Sequence, residues 1–292
     1  MSRSLFYRIA GIVIETVLDA SWHMPVLGIL ENYVCDAAQS DVVIECAVVD
    51  ELPWIESECV YYDDRKFIQA IDHGFVRYDG HGSDYSACYV CTVRNDNHIK
   101  AYVKSSVLVD GVPSHLMAEL LQLEHLLAMR HGILLHASVI CVGDEAVLFT
   151  APSQTGKSTQ ASLWETFAGA EIINGDRCAV VVEDEGIFVY GIPFAGSSGI
   201  RKNVRLPLKA IVYLKQGLDN EAVLCRGVDA FRKVYEGISV QLWDEQDVQS
   251  VMDTVSHVVQ RVPVLYFSCT PDEAAVLALK KKLEELEHEK SD

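Results

Sequence analysis

A short loop with the sequence APSQTGKST, at residues 151–159, constrains the fold of this chain more than any other stretch. The apolar run EAVLFT at residues 145–150 precedes it, and TQASLWETFA at residues 159–168, which has helical spacing, follows it. Strand, glycine-containing loop ending in Gly-Lys-Ser, and helix is the order that a phosphate-binding loop requires. The sequence therefore predicts an α/β core with an anion site where the loop meets the helix.

The residue types in the loop match that chemistry one by one. Backbone N–H groups and the helix N-terminus would bind the phosphates, and Gly156 lets the backbone approach them closely. Lys157 would reach the β- and γ-phosphate oxygens, and the Ser158 hydroxyl would be a ligand of Mg²⁺. Since the pattern begins with Ala151 in place of glycine, an ordinary loop is the alternative interpretation. The residues predicted to bind ATP are Ser153, Gln154, Thr155, Gly156, Lys157, Ser158 and Thr159.

Composition limits the classes of partner and the compartment. A chain of 292 residues is long enough for two domains. Its net charge of −18 argues against nucleic acid and against anionic membranes as partners. The sequence has no uninterrupted apolar run of about 18 residues, the length that a spanning helix needs. Nine cysteines, without the layout of a signal peptide, indicate reduced thiols and a cytoplasmic location.

Residues 1–112 are predicted to form a β-rich accessory domain that faces the substrate. Short β-branched and aromatic stretches recur there, punctuated by Gly, Asn and Asp, and helical spacing is hard to find. One stretch contains Cys88 and Cys91 in a Cys-x-x-Cys pattern. Residues three apart in a strand point to opposite faces. Two strand cysteines are therefore a simpler interpretation than a metal site, which would need further ligands.

Residues 113–292 are predicted to form a second domain that contains the loop. A helix with a broad apolar face is expected over residues 114–130. Two apolar strands joined by Gly143-Asp144 follow, so the strand before the loop should have an antiparallel neighbour. His136 lies in the first of these strands. A lone histidine there is ordinarily a core residue, and its distance from the loop is what makes it a candidate for chemistry.

Two features beyond the helix of the loop add polar groups. Asp176 follows the apolar segment 169–174, where a metal ligand or a base for an incoming hydroxyl would lie, although Asn-Gly-Asp is also good turn chemistry. The segment 191–203 is rich in glycine and serine and contains Arg201 and Lys202 near its end. These cations could neutralise phosphate or bind an acidic substrate. A solvated surface loop is the other interpretation.

The second domain resembles the HPr kinase/phosphorylase-related P-loop kinases, which share their core with phosphoenolpyruvate carboxykinase. The resemblance covers roughly residues 113–292 and is strongest to HPr-kinase-like proteins encoded beside peptide-modification genes. Some of those phosphorylate a serine on a precursor peptide. The matching stretches are Leu135-His-Ala-Ser138, the loop with Trp164 behind it, Ile173-Asn-Gly-Asp-Arg177, and Tyr190-Gly-Ile-Pro193 leading through Asn203 and Pro207-Leu208 to Leu214.

This resemblance implies an α+β fold with a PEP carboxykinase/HPr kinase-like P-loop core, a mixed β-sheet and flanking helices. It also implies a kinase that transfers the γ-phosphoryl group of Mg-ATP to a hydroxyl, typically serine, of a peptide, protein or small molecule. Lys157 would hold the β/γ-phosphates, and Ser158 and Asp176 the metal. Asp176 would alternatively take the hydroxyl proton, with His136 near the transferring phosphate. Apart from the resemblance, Arg201 at the cationic end of the segment 191–203 is a fourth catalytic candidate. Ring-forming relatives make a homo-oligomer a further expectation.

One departure from the family pattern keeps other functions open. HPr kinases carry two adjacent aspartates where this chain has Gly175-Asp176, so one acid is missing. The N-terminal half is also unlike theirs, and neither phosphorylase activity nor HPr as substrate is carried over. The alternatives are a non-catalytic ATP-binding regulatory protein, in which ATP orders a partner-binding surface, and a carboxykinase-like enzyme acting on a small carboxylic acid.

Overall fold

The computed structural model describes residues 2–22, 28–37, 39–81, 84–93, 97–108 and 114–291, and these form a mixed α+β structure with two large sheets. The chain divides into two compact units, Met1–Leu123 and Glu124–Asp292. The predicted boundary at residue 112 lies outside the described residues. No helix in the described part of the chain has both the length and the apolarity needed to cross a membrane.

The first unit is built on an eight-stranded sheet with the spatial order β1-β2-β3-β8-β7-β6-β5-β4. The first strands and helix α1 (Ser114–Leu121) both contribute buried apolar residues, among them Ile14, Ile44 and Leu120. The strands are β1 (Arg3–Ile9), β2 (Ile12–Leu18), β3 (Val42–Val49), β4 (Cys59–Tyr62), β5 (Lys66–Ile71), β6 (Gly74–His81), β7 (Asp84–Val93) and β8 (His98–Lys104).

The two cysteines of the Cys-x-x-Cys pattern lie on opposite faces of β7, as strand geometry predicts. The Cys88 thiol is buried and donates to Asp79 Oδ2 at 3.2 Å. Cys91 packs against an aromatic cluster on the other face. Neither cysteine forms a disulfide, and among the described residues neither joins a group of three metal-ligating side chains.

The prediction of a single helix over residues 114–130 is wrong, because this segment forms two helices. They are α1 and α2 (Leu123–Ala128). Gln122 between them has a positive φ of 50°, which no residue inside an α-helix adopts. Its side-chain amide donates to the Glu119 carbonyl at 2.7 Å, so it satisfies an acceptor at the end of α1.

The second unit contains a nine-stranded mixed sheet in the order β10-β9-β12-β13-β14-β17-β15. This path closes on itself because β10 also pairs with β14. The remaining two strands, β11 and β16, each pair with β9 outside this path. The strands are β9 (Gly132–Val142), β10 (Glu145–Thr150), β11 (Glu171–Asn174), β12 (Arg177–Glu183), β13 (Gly186–Gly191), β14 (Arg205–Gln216), β15 (Glu221–Cys225), β16 (Ile238–Ser239) and β17 (Val264–Cys269).

Helices cover both faces of this sheet. They are α3 (Lys157–Ala168), α4 (Gly227–Tyr235), α5 (Glu245–Arg261) and α6 (Glu273–Ser291). Along β10, Ala146 and Leu148 enter the core shared with α4 and α5, whereas Val147 and Phe149 enter the core shared with α3 and α6. Burial on both faces explains why the sequence of β10 is a continuous apolar run.

The strand arrangement fixes where the loop 151–159 emerges. The predicted β9–β10 hairpin is present, with Gly143 at φ 64° in its turn. Strands β10, β14 and β17 are parallel neighbours, so their carboxyl ends share one edge of the sheet. The loop follows β10 at that edge, the usual place for ligand sites in sheets of this kind.

Candidate functional site

The loop 151–159 presents backbone N–H groups at the start of α3. Gln154 (φ 65°) and Gly156 (φ 108°) both have left-handed backbone conformations. Gly156 is the N-cap residue of α3, and as a glycine it offers no side-chain oxygen to the first-turn N–H groups. A loop with residues in this conformation, followed by a helix N-terminus, points several backbone N–H groups toward one place and suits an anion. Ser153, Gln154, Ser158 and Thr159 are exposed, whereas Thr155 and Gly156 are half-buried.

Lys157 lies beneath this loop, and its side chain is turned toward main-chain oxygens. Its Nζ donates to the Ala151 carbonyl at 2.9 Å and to the Pro152 carbonyl at 3.3 Å. Only 8% of the residue is exposed. Burial lowers the pKa of Lys157, and the charge of Asp176 partly opposes that shift. A buried cation with two neutral acceptors is suited to exchanging them for anionic oxygens.

Asp176 and His136 meet across neighbouring strands. Strand β12 pairs with β9 in the register that places Arg177 opposite His136, so Asp176 lies next to that pair. His136 Nε2 is 3.1 Å from Asp176 Oδ1, and Arg177 Nε is 3.5 Å from Oδ2. The hydrogen bond from His136 holds the pKa of Asp176 below its usual value against burial, with help from the nearby cationic charges, Lys157 included. The carboxyl group is therefore ionised at neutral pH.

His136 is fixed through its main chain to the elements around it. Its N–H donates to the Gly237 carbonyl at 2.7 Å, and its carbonyl accepts from Thr150 Oγ1 at 3.1 Å. A β-carbon at Gly237 would lie 2.7 Å from Thr150 Oγ1, so a larger residue there would have to shift that hydroxyl. Because Thr150 is the last residue of β10, these contacts tie His136 to the strand that leads into the loop.

Asn174 organises the turn that carries Asp176. It is fully buried, and its Oδ1 accepts from the N–H groups of Asp176 at 2.9 Å and of Arg177 at 3.1 Å. Its Nδ2 donates to the carbonyls of Ile192 and Phe194, both at 3.1 Å. Sequence reasoning missed this role. The available signal was an asparagine at the end of an apolar strand, directly before Gly-Asp.

The segment 191–203 packs directly on the turn. A β-carbon at Gly196, which has φ 55°, would lie 2.8 Å from both Cβ and Cγ of Asp176. A β-carbon at Gly175 would lie 2.7 Å from Ser198 Cβ and closer still to Ser198 Oγ. Ser198 Oγ donates to the Ala195 carbonyl at 2.9 Å, which orients the hydroxyl within the loop.

The structure brings some of the predicted site residues together and leaves others apart. Electrostatic influence links His136, Lys157 and Asp176, and Ser158 and Thr159 lie in the first turn of α3 beside Lys157. Among the described residues, the Arg201 guanidinium contacts the Gly199 carbonyl at 3.3 Å and none of those three side chains. Lys202 pairs with Glu171.

A second polar cluster of buried residues lies between α2 and α5. His125 Nδ1 is 2.9 Å from Asp247 Oδ2, and both residues are buried, so this pair ties α2 to α5. Asp244 caps α5 by accepting from the Gln246 N–H at 3.0 Å. His125 is therefore a packing residue with a hydrogen-bonded partner.

Comparisons with known proteins add little to this geometry. No family model matches the chain, and no curated protein matches it. Among solved structures, the Hpr(Ser) kinase/phosphatase from Coxiella burnetii is similar over 53% of this chain and 98% of that one. The identity is 13% and the TM-score is 0.31, and a similarity this low carries no argument about function.

Proposed function

We propose that this chain is a Mg-ATP-dependent kinase with an HPr kinase-like P-loop core, which transfers the γ-phosphoryl group to a hydroxyl. The acceptor that we propose is a serine of a peptide or protein, with a small-molecule hydroxyl as the other form of the same chemistry. The observation that carries the proposal is the 3.1 Å contact between His136 and Asp176. The charge of Lys157 acts on the same carboxylate, and the loop before Lys157 contains residues in the left-handed backbone conformation.

The loop residues fit a polyphosphate. The first-turn N–H groups of α3 face an N-cap glycine without a side-chain acceptor, and the Lys157 ammonium is buried against two neutral carbonyls. Phosphate oxygens would satisfy both sets of donors. The exposed Ser158 hydroxyl and the ionised Asp176 carboxylate are hard oxygen ligands of the kind that Mg²⁺ prefers. When bound, Mg²⁺ would neutralise charge on the β- and γ-phosphates.

The chain's own side chains would handle the proton and the alignment. Asp176 would accept the proton of the incoming hydroxyl, and His136 would hold the carboxylate in place through Nε2. Phosphoryl transfer demands little covalent chemistry from the protein, so positioning and charge neutralisation would supply most of the rate. One carboxylate can serve this step if the metal is held largely by Ser158 and by phosphate oxygens.

One observation favours a second candidate, an ATP-binding regulatory protein without chemistry. The position where HPr kinases have a further aspartate is Gly175, and Ser198 fills the space that its side chain would need. Gly196 also covers Asp176. Under that function, Asp176→Ala would leave activity in a partner assay intact. Under the kinase function, the same change would abolish transfer.

Transfer of labelled phosphate from Mg-[γ-³²P]ATP to a pool of serine-containing peptides tests the proposal. We expect labelled phosphoserine with the wild type and none with Lys157→Ala. Lys281→Ala, which removes an exposed lysine on α6, is the matched control and should behave as the wild type. Tight ATP binding without transfer to any acceptor would favour the regulatory function, and absence of ATP binding would refute both.

A further inference from the structure

We propose that Ser198 is a phosphoacceptor of this chain, phosphorylated in cis by the site that its loop covers. The inference rests on the kinase proposed above and concerns a modification site outside the predicted site residues. It starts from the close packing of the segment Gly196-Ser-Ser198 on Gly175-Asp176.

Ser198 lies close to the turn that carries the proposed base. A β-carbon added at Gly175 would meet both Cβ and Oγ of Ser198, so the serine side chain lies directly against the residue that precedes Asp176. Two residues earlier in the loop, Gly196 lies on the Asp176 carboxyl itself, since a β-carbon there would be 3.1 Å from Oδ1. The loop therefore holds a serine hydroxyl against the turn that carries Asp176.

The hydroxyl is also oriented and accessible. Ser198 Oγ donates to the Ala195 carbonyl at 2.9 Å and accepts from the Ile200 N–H at 3.3 Å. The residue as a whole is exposed, so a phosphate attached to it can remain in solvent. An acceptor held on the same chain reacts at a high effective concentration.

The transfer needs no reactant other than Mg-ATP and the Ser198 hydroxyl. A bond forms between Ser198 Oγ and the γ-phosphorus, and the bond from that phosphorus to the β–γ bridging oxygen breaks. ADP leaves with the electron pair, and the hydroxyl proton passes to the Asp176 carboxylate. The product is phosphoserine at position 198, with an added charge of about −2 at pH 7.

Mass spectrometry of the protein incubated with Mg-ATP alone tests this assignment. We expect one phosphate per chain, located on Ser198 by fragmentation, absent from Ser198→Ala and from Lys157→Ala. Ser197→Ala changes the adjacent exposed serine of the same loop and should keep the modification. The initial rate per chain should not change over a tenfold range of protein concentration.

The contrary results are distinct for the two proposals. Phosphate on added peptides with none on Ser198 would overturn this inference and leave the kinase in place. Absence of phosphate from both would overturn the kinase as well. A Lys157→Ala chain that acquires phosphate on Ser198 when mixed with the wild type would show transfer between chains, which would overturn the assignment in cis.

Discussion

His136 and Asp176 meet through a 3.1 Å contact between Nε2 and Oδ1, across the paired strands β9 and β12. The contact depends on the register of those strands and on the turn that Asn174 holds. It connects a histidine in an apolar strand with an aspartate in a polar turn, and it lies at the centre of the proposed site.

The first prediction concerns acid stability. The folded-state pKa of Asp176 is lowered, chiefly by the hydrogen bond from His136, so the carboxylate stabilises the fold above its unfolded-state pKa of about 3.9. This contribution should be lost as the pH falls through the lower folded-state value. Urea unfolding from pH 6 to pH 2.5 should therefore show a difference between the wild type and Asp176→Asn that shrinks below about pH 4.

His136→Ala should remove most of that difference, because it deletes the largest cause of the lowered pKa. His136→Gln retains an amide donor and should restore part of it. If the difference in unfolding free energy between the wild type and Asp176→Asn were the same at pH 6 and pH 2.5, the neighbours of Asp176 would not lower its pKa.

The second prediction separates binding from folding at Lys157. Its ammonium is buried and its pKa is lowered by that burial. Lys157→Met should therefore change the unfolding free energy of the ligand-free protein by no more than about 1 kcal/mol. The rise in melting temperature that Mg-ATP gives the wild type should disappear. If Mg-ATP raised the melting temperature of Lys157→Met as much as that of the wild type, Lys157 would not belong to the nucleotide site.

The third prediction concerns Asn174. Asn174→Ala leaves two N–H groups of the half-buried turn, and the carbonyls of Ile192 and Phe194, without this partner. We expect a loss of about 2–4 kcal/mol in urea unfolding, above the cost of a typical substitution. Asn220→Ala, at a half-buried asparagine bonded to Thr270, should cost less. Equal losses would show that the turn does not depend on Asn174.

The fourth prediction tests the packing of the loop on the turn. Gly175→Ala places a β-carbon against Ser198 and should destabilise the protein by about 1–3 kcal/mol, as overpacking usually does. Ser198→Gly removes the obstructing atoms, so the double variant should regain part of that loss. A coupling energy above about 0.5 kcal/mol in the cycle would show direct contact, and additive effects would contradict it.

The local order of elements in the second unit could be predicted from sequence, because it rests on near-neighbour patterns. The run from residue 145 to 150, the glycine at 156 and the apolar spacing behind it specify strand, loop and helix. Gly143-Asp144 specifies the hairpin. Asp176 could be selected from its position after an apolar strand, although that position does not identify its partner.

What the sequence could not show depends on contacts between distant segments. The packing of Gly196 and Ser198 on Gly175-Asp176 follows from how the segment 191–203 folds back, and no spacing rule encodes it. The break at Gln122 is a left-handed residue that is not glycine, inside a run with good helical spacing. The role of Asn174 was hidden for the same reason, because two of its partners are Ile192 and Phe194.

Measurements of phosphoryl transfer and of Mg-ATP binding by Asp176→Asn test most directly the proposed role of this carboxylate as the base. We predict that transfer to a serine acceptor falls by about 100-fold or more, as expected for loss of a positioned base, while affinity for Mg-ATP changes by less than about 10-fold. Asp184→Asn, the same substitution in an exposed turn, should change neither. Transfer at the wild-type rate by Asp176→Asn would contradict the assignment of Asp176 as the base.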